Sequence, residues 1–233
     1  EHKDVATPFM ANLDGFTLTH TYEVVDVPDA EQADEFLPPY ETDNKISFDD
    51  PKNLGFSAGP DTNTEFKYKE HLGILNARKV IKECEDKFFK IFNRKYSGLI
   101  ESYKTEDADF VIVTLGTISG LVKEVVDDLR DKGQKVGLLR IRYLRPFPNE
   151  EIVDALKNVK AIGVLEKDIS FGNEGTVYTN VNSALHKAKL DVVSSNYIAG
   201  LGGRNIEKHQ IEDIFTRLQS LNHEIVFVGL KEE

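Results

Sequence analysis

The chain has 233 residues, 40% of them hydrophobic and 30% charged, with a net charge of −11. That balance suits one large globular domain, or one domain with an extension, and excludes nonspecific nucleic-acid binding, which needs a basic surface to displace counterions. A single cysteine, Cys84, rules out internal disulfides and cysteine-ligated metal clusters and points to a reducing, cytoplasmic setting, while no apolar run is long enough to span a bilayer.

The first residues, EHKDVATPFMANLDGFTLTH, carry no signal-peptide pattern and no initiating Met. Short apolar patches (Leu13, Phe16, Leu18) around an Asp14-Gly15 turn signal read as the tail of an element that begins upstream, and predict that the chain is the C-terminal part of a longer protein; a frayed terminus is the alternative. Residues 22–68 read as irregular. Pro28, Pro38, Pro39, Pro51 and Pro60 are spread through Asp, Asn and Gly, which opposes a long helix and biases the preceding residues towards extended backbone. Aromatic and leucine side chains recur there (Phe36, Leu37, Tyr40, Phe48, Leu54, Phe56), so the segment reads as a strap packed on a surface and not as a free linker. One long helix is predicted over 74–96, with Ile74, Ala77, Ile81, Cys84, Phe88 and Ile91 along one face; Cys84 on that stripe is expected to be buried.

From Lys104 onward a short apolar run, a Gly- or Pro-marked turn and an amphipathic helix recur. Strands are predicted at 110–115, 136–141, 161–165, 192–198 and 225–228, and helices at 119–132, 149–158, 176–187 and 207–221. Runs such as FVIVTL suit strands buried on both faces, so the fold class is α/β: a three-layer, mostly parallel sheet of about five strands joined by right-handed crossovers. The direction of the last strand is left open.

The turns hold the candidate sites. Gly116 to Gly120 opens a helix where a phosphate could sit, but the spacing fits neither nucleotide template; the duller reading is a tight turn with Thr117 or Ser119 as N-cap. Arg140, Arg142 and Arg145 could bind an anion, or pair with nearby acids. In EKDISFGNEG a strand end meets Glu166, Asp168 and Asn173, and AGLGGR adds Arg204. These four residues are the ligand-loop candidates, because the carboxyl edge of a parallel sheet is where ligands commonly bind. The six histidines show no metal-binding spacing, no metal site is expected, and no nucleophile accompanies the acids.

Taken in order, DGFTLTHT, LPPY, GTISG with VVDDLR, LLRIRYLRPFP, EKDISFGNEG and AGLGGR resemble the α subunit of pyruvate:ferredoxin oxidoreductases (pyruvate synthases) over nearly the whole chain. The resemblance implies three parts: residues 1–21 as the end of a thiamine-diphosphate-binding domain, 22–73 as a connecting strap, and 74–233 as a long helix with a transketolase C-terminal-like domain. It implies a reversible conversion of pyruvate and coenzyme A to acetyl-CoA, carbon dioxide and reduced ferredoxin. Thiamine diphosphate and Mg would belong to the whole complex, and iron–sulfur clusters to other subunits. Partners would be the β, γ and δ subunits, with no nucleic acid and no membrane. No catalytic residue is carried over, so this segment is expected to shape and assemble the enzyme, with Phe16, Phe36, Leu37 and Tyr40 buried against a neighbouring domain or subunit. Related 2-oxoacid oxidoreductases acting on 2-oxoglutarate or a branched-chain acid, and a free-standing regulatory α/β domain, are the alternatives.

Overall fold

The computed structural model describes residues 2–42, 44–55 and 57–231. It separates into two compact units, residues 1–98 and 99–233.

Among the described residues, the N-terminal unit holds three helices: α1 (Thr17–His20), α2 (Ala30–Phe36) and α3 (Pro60–Phe92). Two of these revise the expectations from sequence. The irregular stretch contains α2, whose Asp29 N-cap and first-turn Glu31 place negative charge at the helix start. The long helix starts not at Ile74 but at Pro60, which occupies the first turn, where a missing N–H is harmless and the fixed φ suits a helix. It ends at Phe92, short of Tyr96, because Asn93 turns left-handed (φ 53°) and donates its N–H back to the Phe89 carbonyl at 2.9 Å. Phe56, one of the apolar anchors of the strap, lies outside the described residues.

Among the described residues, α3 is covered along two stretches. Near its middle, the Asn76 side chain donates to the Asp4 carbonyl at 3.3 Å, and Gly73 lets the chain at Val5 approach so closely that a Cβ would stand 2.6 Å from the Val5 oxygen. Near its C-terminal end, Phe36 stacks edge-on against Phe88 and Phe92 at 5.2 and 5.8 Å. Cys84 falls between these contacts and is exposed, not buried as its place on the stripe predicted. Partial desolvation, with Glu83 nearby, still raises its thiol pKa, so the thiol form is favoured.

The second unit is a six-stranded sheet in the order β1-β3-β2-β4-β5-β6. It runs β1 (Ile100–Tyr103), β2 (Phe110–Leu115), α4 (Ile118–Asp131), β3 (Val136–Ile141), α5 (Asn149–Leu156), β4 (Ala161–Glu166), α6 (Thr176–Lys187), β5 (Val193–Ile198), a 3₁₀ turn at Leu201–Gly203, α7 (Lys208–Leu218) and β6 (Ile225–Phe227). The five strands read from sequence are all parallel, β6 included. The sixth, β1, is antiparallel to β3, and its polar IESY gave no apolar run to detect.

Alternation along the strands builds two cores. Ile112, Leu138, Leu165 and Tyr197 face α4 and α7, while Val113, Leu139, Ile162 and Val164 face α5 and α6. Gly163 is required in β4, since a Cβ there would lie 2.9 Å from the Tyr197 ring. No helix among the described residues is long and apolar enough to cross a membrane.

Candidate functional site

The carboxyl edge of the sheet is the place to test the ligand-loop candidates, because β2 and β4 are neighbours whose connections leave in opposite directions. β4 ends at Glu166, which is 3% exposed. Its carboxylate accepts from the backbone N–H groups of Val177 (2.8 Å) and Tyr178 (3.1 Å), the first turn of α6, and from Asn196 Nδ2 (2.9 Å). Asn196, fully buried in β5, accepts the Gly175 N–H on Oδ1 at 2.7 Å and so ties the helix start to the strand. Gly175 must be glycine, since a Cβ would stand 2.0 Å from Glu166 Oε1.

The free N–H groups and dipole of α6 would otherwise invite an anion; Glu166 supplies one from within the chain. Burial pushes its carboxyl pKa up, the three donors pull it back only in part, and Asp168 adds a further upward push. Asp168 sits at the same helix end, 3.3 Å from the Thr176 N–H. The structure therefore brings Glu166 and Asp168 together as caps of α6.

The other two candidates have different places. Asn173 is exposed in the turn after β4, where its N–H donates to the Ser170 carbonyl at 2.8 Å. Arg204 follows β5 and donates to the Gly229 carbonyl at 2.6 Å, which ties the loop to the end of β6. Sequence reasoning missed Asn196 and Gly175. An asparagine inside VSSNYI, 30 residues from its acid in sequence, had no local signal to mark it.

At the start of α4 one of the two proposed residues takes the N-cap position. Thr117 stands at the N-cap position without a side-chain cap, and Ser119 Oγ donates to the Gly116 carbonyl at 2.7 Å, closing the turn instead. Of the arginines, Arg140 pairs with Glu101 at 3.3 Å, and Glu101 also binds Lys123. Burial pulls Glu101 upward, but the two cations outweigh it and leave its pKa lowered. Arg145 donates to the Leu144 carbonyl and to Asn180 and covers the Phe147 ring.

The interface candidates divide. Phe16 (80% exposed), Leu37 and Tyr40 stand in solvent, with Phe16 at a left-handed φ of 58°. Phe36 is half-buried in the aromatic group on α3. Among the described residues no group of three or more His, Cys, Asp or Glu side chains is placed to hold a metal.

Comparison with known proteins gives the family. Residues 1–86 match the thiamine-diphosphate-binding domain of pyruvate flavodoxin/ferredoxin oxidoreductases, and residues 108–211 match core domain II of pyruvate:ferredoxin oxidoreductase. Pyruvate synthase subunit PorA of Methanothermobacter thermautotrophicus is 40% identical over 233 residues, all of this chain and 60% of that protein. Ketoisovalerate oxidoreductase subunit VorA of Pyrococcus horikoshii is 41% identical over 211 residues, 90% of this chain and 54% of that one. Among solved structures, the 2-oxoglutarate:ferredoxin oxidoreductase of Magnetococcus marinus aligns with a TM-score of 0.42 and 19% identity, covering 71% of this chain and 24% of that one. A split-gene transketolase aligns with a TM-score of 0.42 and 20% identity, covering 55% and 43%. The chain spans about 60% of the PorA relative's length, and it belongs to the pyruvate:ferredoxin oxidoreductase family.

Proposed function

We propose that this chain is part of the α subunit of a 2-oxoacid:ferredoxin oxidoreductase of the pyruvate synthase type. The enzyme would join the acetyl group of pyruvate to coenzyme A, release carbon dioxide and pass the electrons to ferredoxin, in either direction. The observation that carries this reading is 40% identity to a pyruvate synthase subunit along all 233 residues. Thiamine diphosphate, bound with Mg in the whole complex, would supply the carbanion chemistry of decarboxylation. Iron–sulfur clusters would lie on other subunits, since one cysteine cannot hold one. The reducing conditions that such clusters need agree with a cytoplasmic location.

The part we assign to this segment is structural. The caps of α6 are saturated by Glu166, Asp168 and Asn196, and no nucleophile or base is freed there. Phe16, Leu37 and Tyr40 are the contacts we assign to a neighbouring domain or to the β, γ or δ subunits, and Phe36 holds the strap to α3 beside them. A second reading, oxidation of a branched-chain 2-oxoacid, is favoured by the 41% identity to the ketoisovalerate enzyme.

The test is ferredoxin or dye reduction by the complex containing the full-length subunit, with pyruvate, 2-oxoisovalerate and 2-oxoglutarate compared at equal concentration. The highest kcat/KM should fall on pyruvate; a preference for 2-oxoisovalerate would transfer the assignment to the second reading. The 233-residue chain by itself should reduce no dye with any of the three acids.

A further inference from the structure

The segment from Tyr22 to Asp50 contains ten acidic residues and a single basic one, Lys45. Large apolar side chains alternate with those acids and stand in solvent: Val24 and Phe48 are fully exposed, and Leu37, Tyr40 and Ile46 are 69%, 64% and 76% exposed. Among the described residues, the segment is tied to α3 and the turn after it between Asp26 and Phe36. There Arg94 binds Asp26, Gln32 donates to the Ile91 carbonyl at 3.2 Å, and Lys87 donates to the Glu35 and Phe36 carbonyls at 2.7 and 3.0 Å. Among the described residues, the large apolar side chains on either side of that anchor stand mostly in solvent.

Single exposed apolar residues are ordinary, but a run of them on one short segment marks an interaction surface. The charge selects the occupant. Docking a second copy would bring together two chains of net charge −11, each with its acids concentrated on this segment, and like charges in an interface suppress pairing. We infer that the segment docks on a basic surface of another subunit, whose Lys and Arg side chains meet its carboxylates while apolar recesses between them take Leu37, Tyr40 and Phe48. This deepens the assembly role proposed above and rests on it. Charge pairing then sets the encounter rate and the salt sensitivity of assembly, and the apolar contacts set the salt-independent part of the affinity.

The full-length subunit, combined with the other subunits of its complex, provides the test. Zero-length carbodiimide crosslinking joins carboxylates directly to lysines, and should link Glu41 and Asp49 to lysines of another subunit. Raising NaCl from about 50 to about 500 mM should weaken assembly of the wild type by about tenfold or more. The fourfold variant Glu23→Gln, Asp34→Asn, Glu41→Gln, Asp49→Asn should start about tenfold weaker at low salt and lose most of that salt dependence. The Leu37→Ser, Tyr40→Ser variant should be weakened at every salt concentration with the wild-type slope kept. Circular dichroism of each variant separates loss of docking from loss of fold. Salt-independent assembly, a fourfold variant as tight as the wild type at low salt, or crosslinks confined to this chain would overturn the inference. An assembled complex that oxidises none of the three 2-oxoacids would overturn the proposed function and leave the docking result standing.

Discussion

The two units of this chain solve the folding problem in opposite ways. In residues 99–233 the four central strands, β2 to β5, bury apolar side chains, with Ile112, Val113, Leu138, Leu139, Ile162, Val164 and Tyr197 withdrawn completely from solvent. In residues 1–98, among those described, Val80 is the one apolar side chain that is buried. The N-terminal unit is held by helix capping, an aromatic cluster on α3 and scattered hydrogen bonds. A core stabilises the α/β unit from within, since each buried large side chain contributes about 1.5–3 kcal/mol. The strap and α3 lack such a core, and the apolar groups they expose are available to another surface.

The sharpest way to break this contrast is truncation of one side chain in each region. Ile162→Ala in the α/β unit should cost about 2–5 kcal/mol in urea unfolding, whereas Leu75→Ala, on the exposed side of α3, should change stability by no more than about 0.5 kcal/mol. Equal losses would mean that the N-terminal unit has a core of its own. Limited proteolysis gives the same contrast without mutation: first cuts should fall between Val27 and Gly59, and early cuts inside 110–228 would contradict it.

Next in size is the helix start at Gly175. Gly175→Ala should cost about 3 kcal/mol, because its Cβ would displace the buried Glu166 carboxylate from its donors. Glu166→Gln should cost about 1–3 kcal/mol, since an amide offers an N–H where the wild type presents only acceptors. The cost should depend on pH with a definite sign. The folded-state pKa of Glu166 is raised above its unfolded value, so the native state binds the proton more readily. Its contribution is therefore fully present below the unfolded carboxylate range and is lost as pH rises through the raised folded pKa. The advantage of wild type over Glu166→Gln, followed by chemical denaturation at a series of pH values, should narrow across that window. A gap that widened with pH would show that the donors outweigh burial.

A smaller effect is expected at β1, on one edge of the sheet. Glu101, part-exposed between Lys123 and Arg140, has a lowered pKa, so its contribution is present above the ordinary carboxylate range and fades as pH falls through the folded value. Glu101→Gln should cost less than about 1 kcal/mol at neutral pH, and less again in high salt. A larger loss would make this charged edge, like the core, a principal support of the α/β unit.

Five strands, four helices and the parallel order were legible because the signals are local: continuous apolar runs, turn glycines and amphipathic periods lie within a few residues of one another. The family was legible for the same reason, from short motifs in a fixed order. Where a signal was absent or ambiguous, the reading failed. β1 has only four residues with a polar middle and becomes a strand because the free edge of β3 accepts it. α3 starts at Pro60 because proline tolerates a helix only at its beginning, a rule that the density of prolines around it obscured.

The sequence by itself determined the class of fold, the alternation that assigns each strand residue to one of two cores, and the acidic net charge of −11. Only the tertiary structure decided what the polar residues at the carboxyl edge do. Glu166 reads as a ligand residue in the chain and becomes the cap of α6 in the fold, because Asn196, remote in sequence, and Gly175, at the end of the same turn, close around it. It likewise decided that Cys84 is exposed while its stripe neighbours Phe88 and Ile91 are half-buried, because helical periodicity names a face but cannot say where along the helix another segment will cover it.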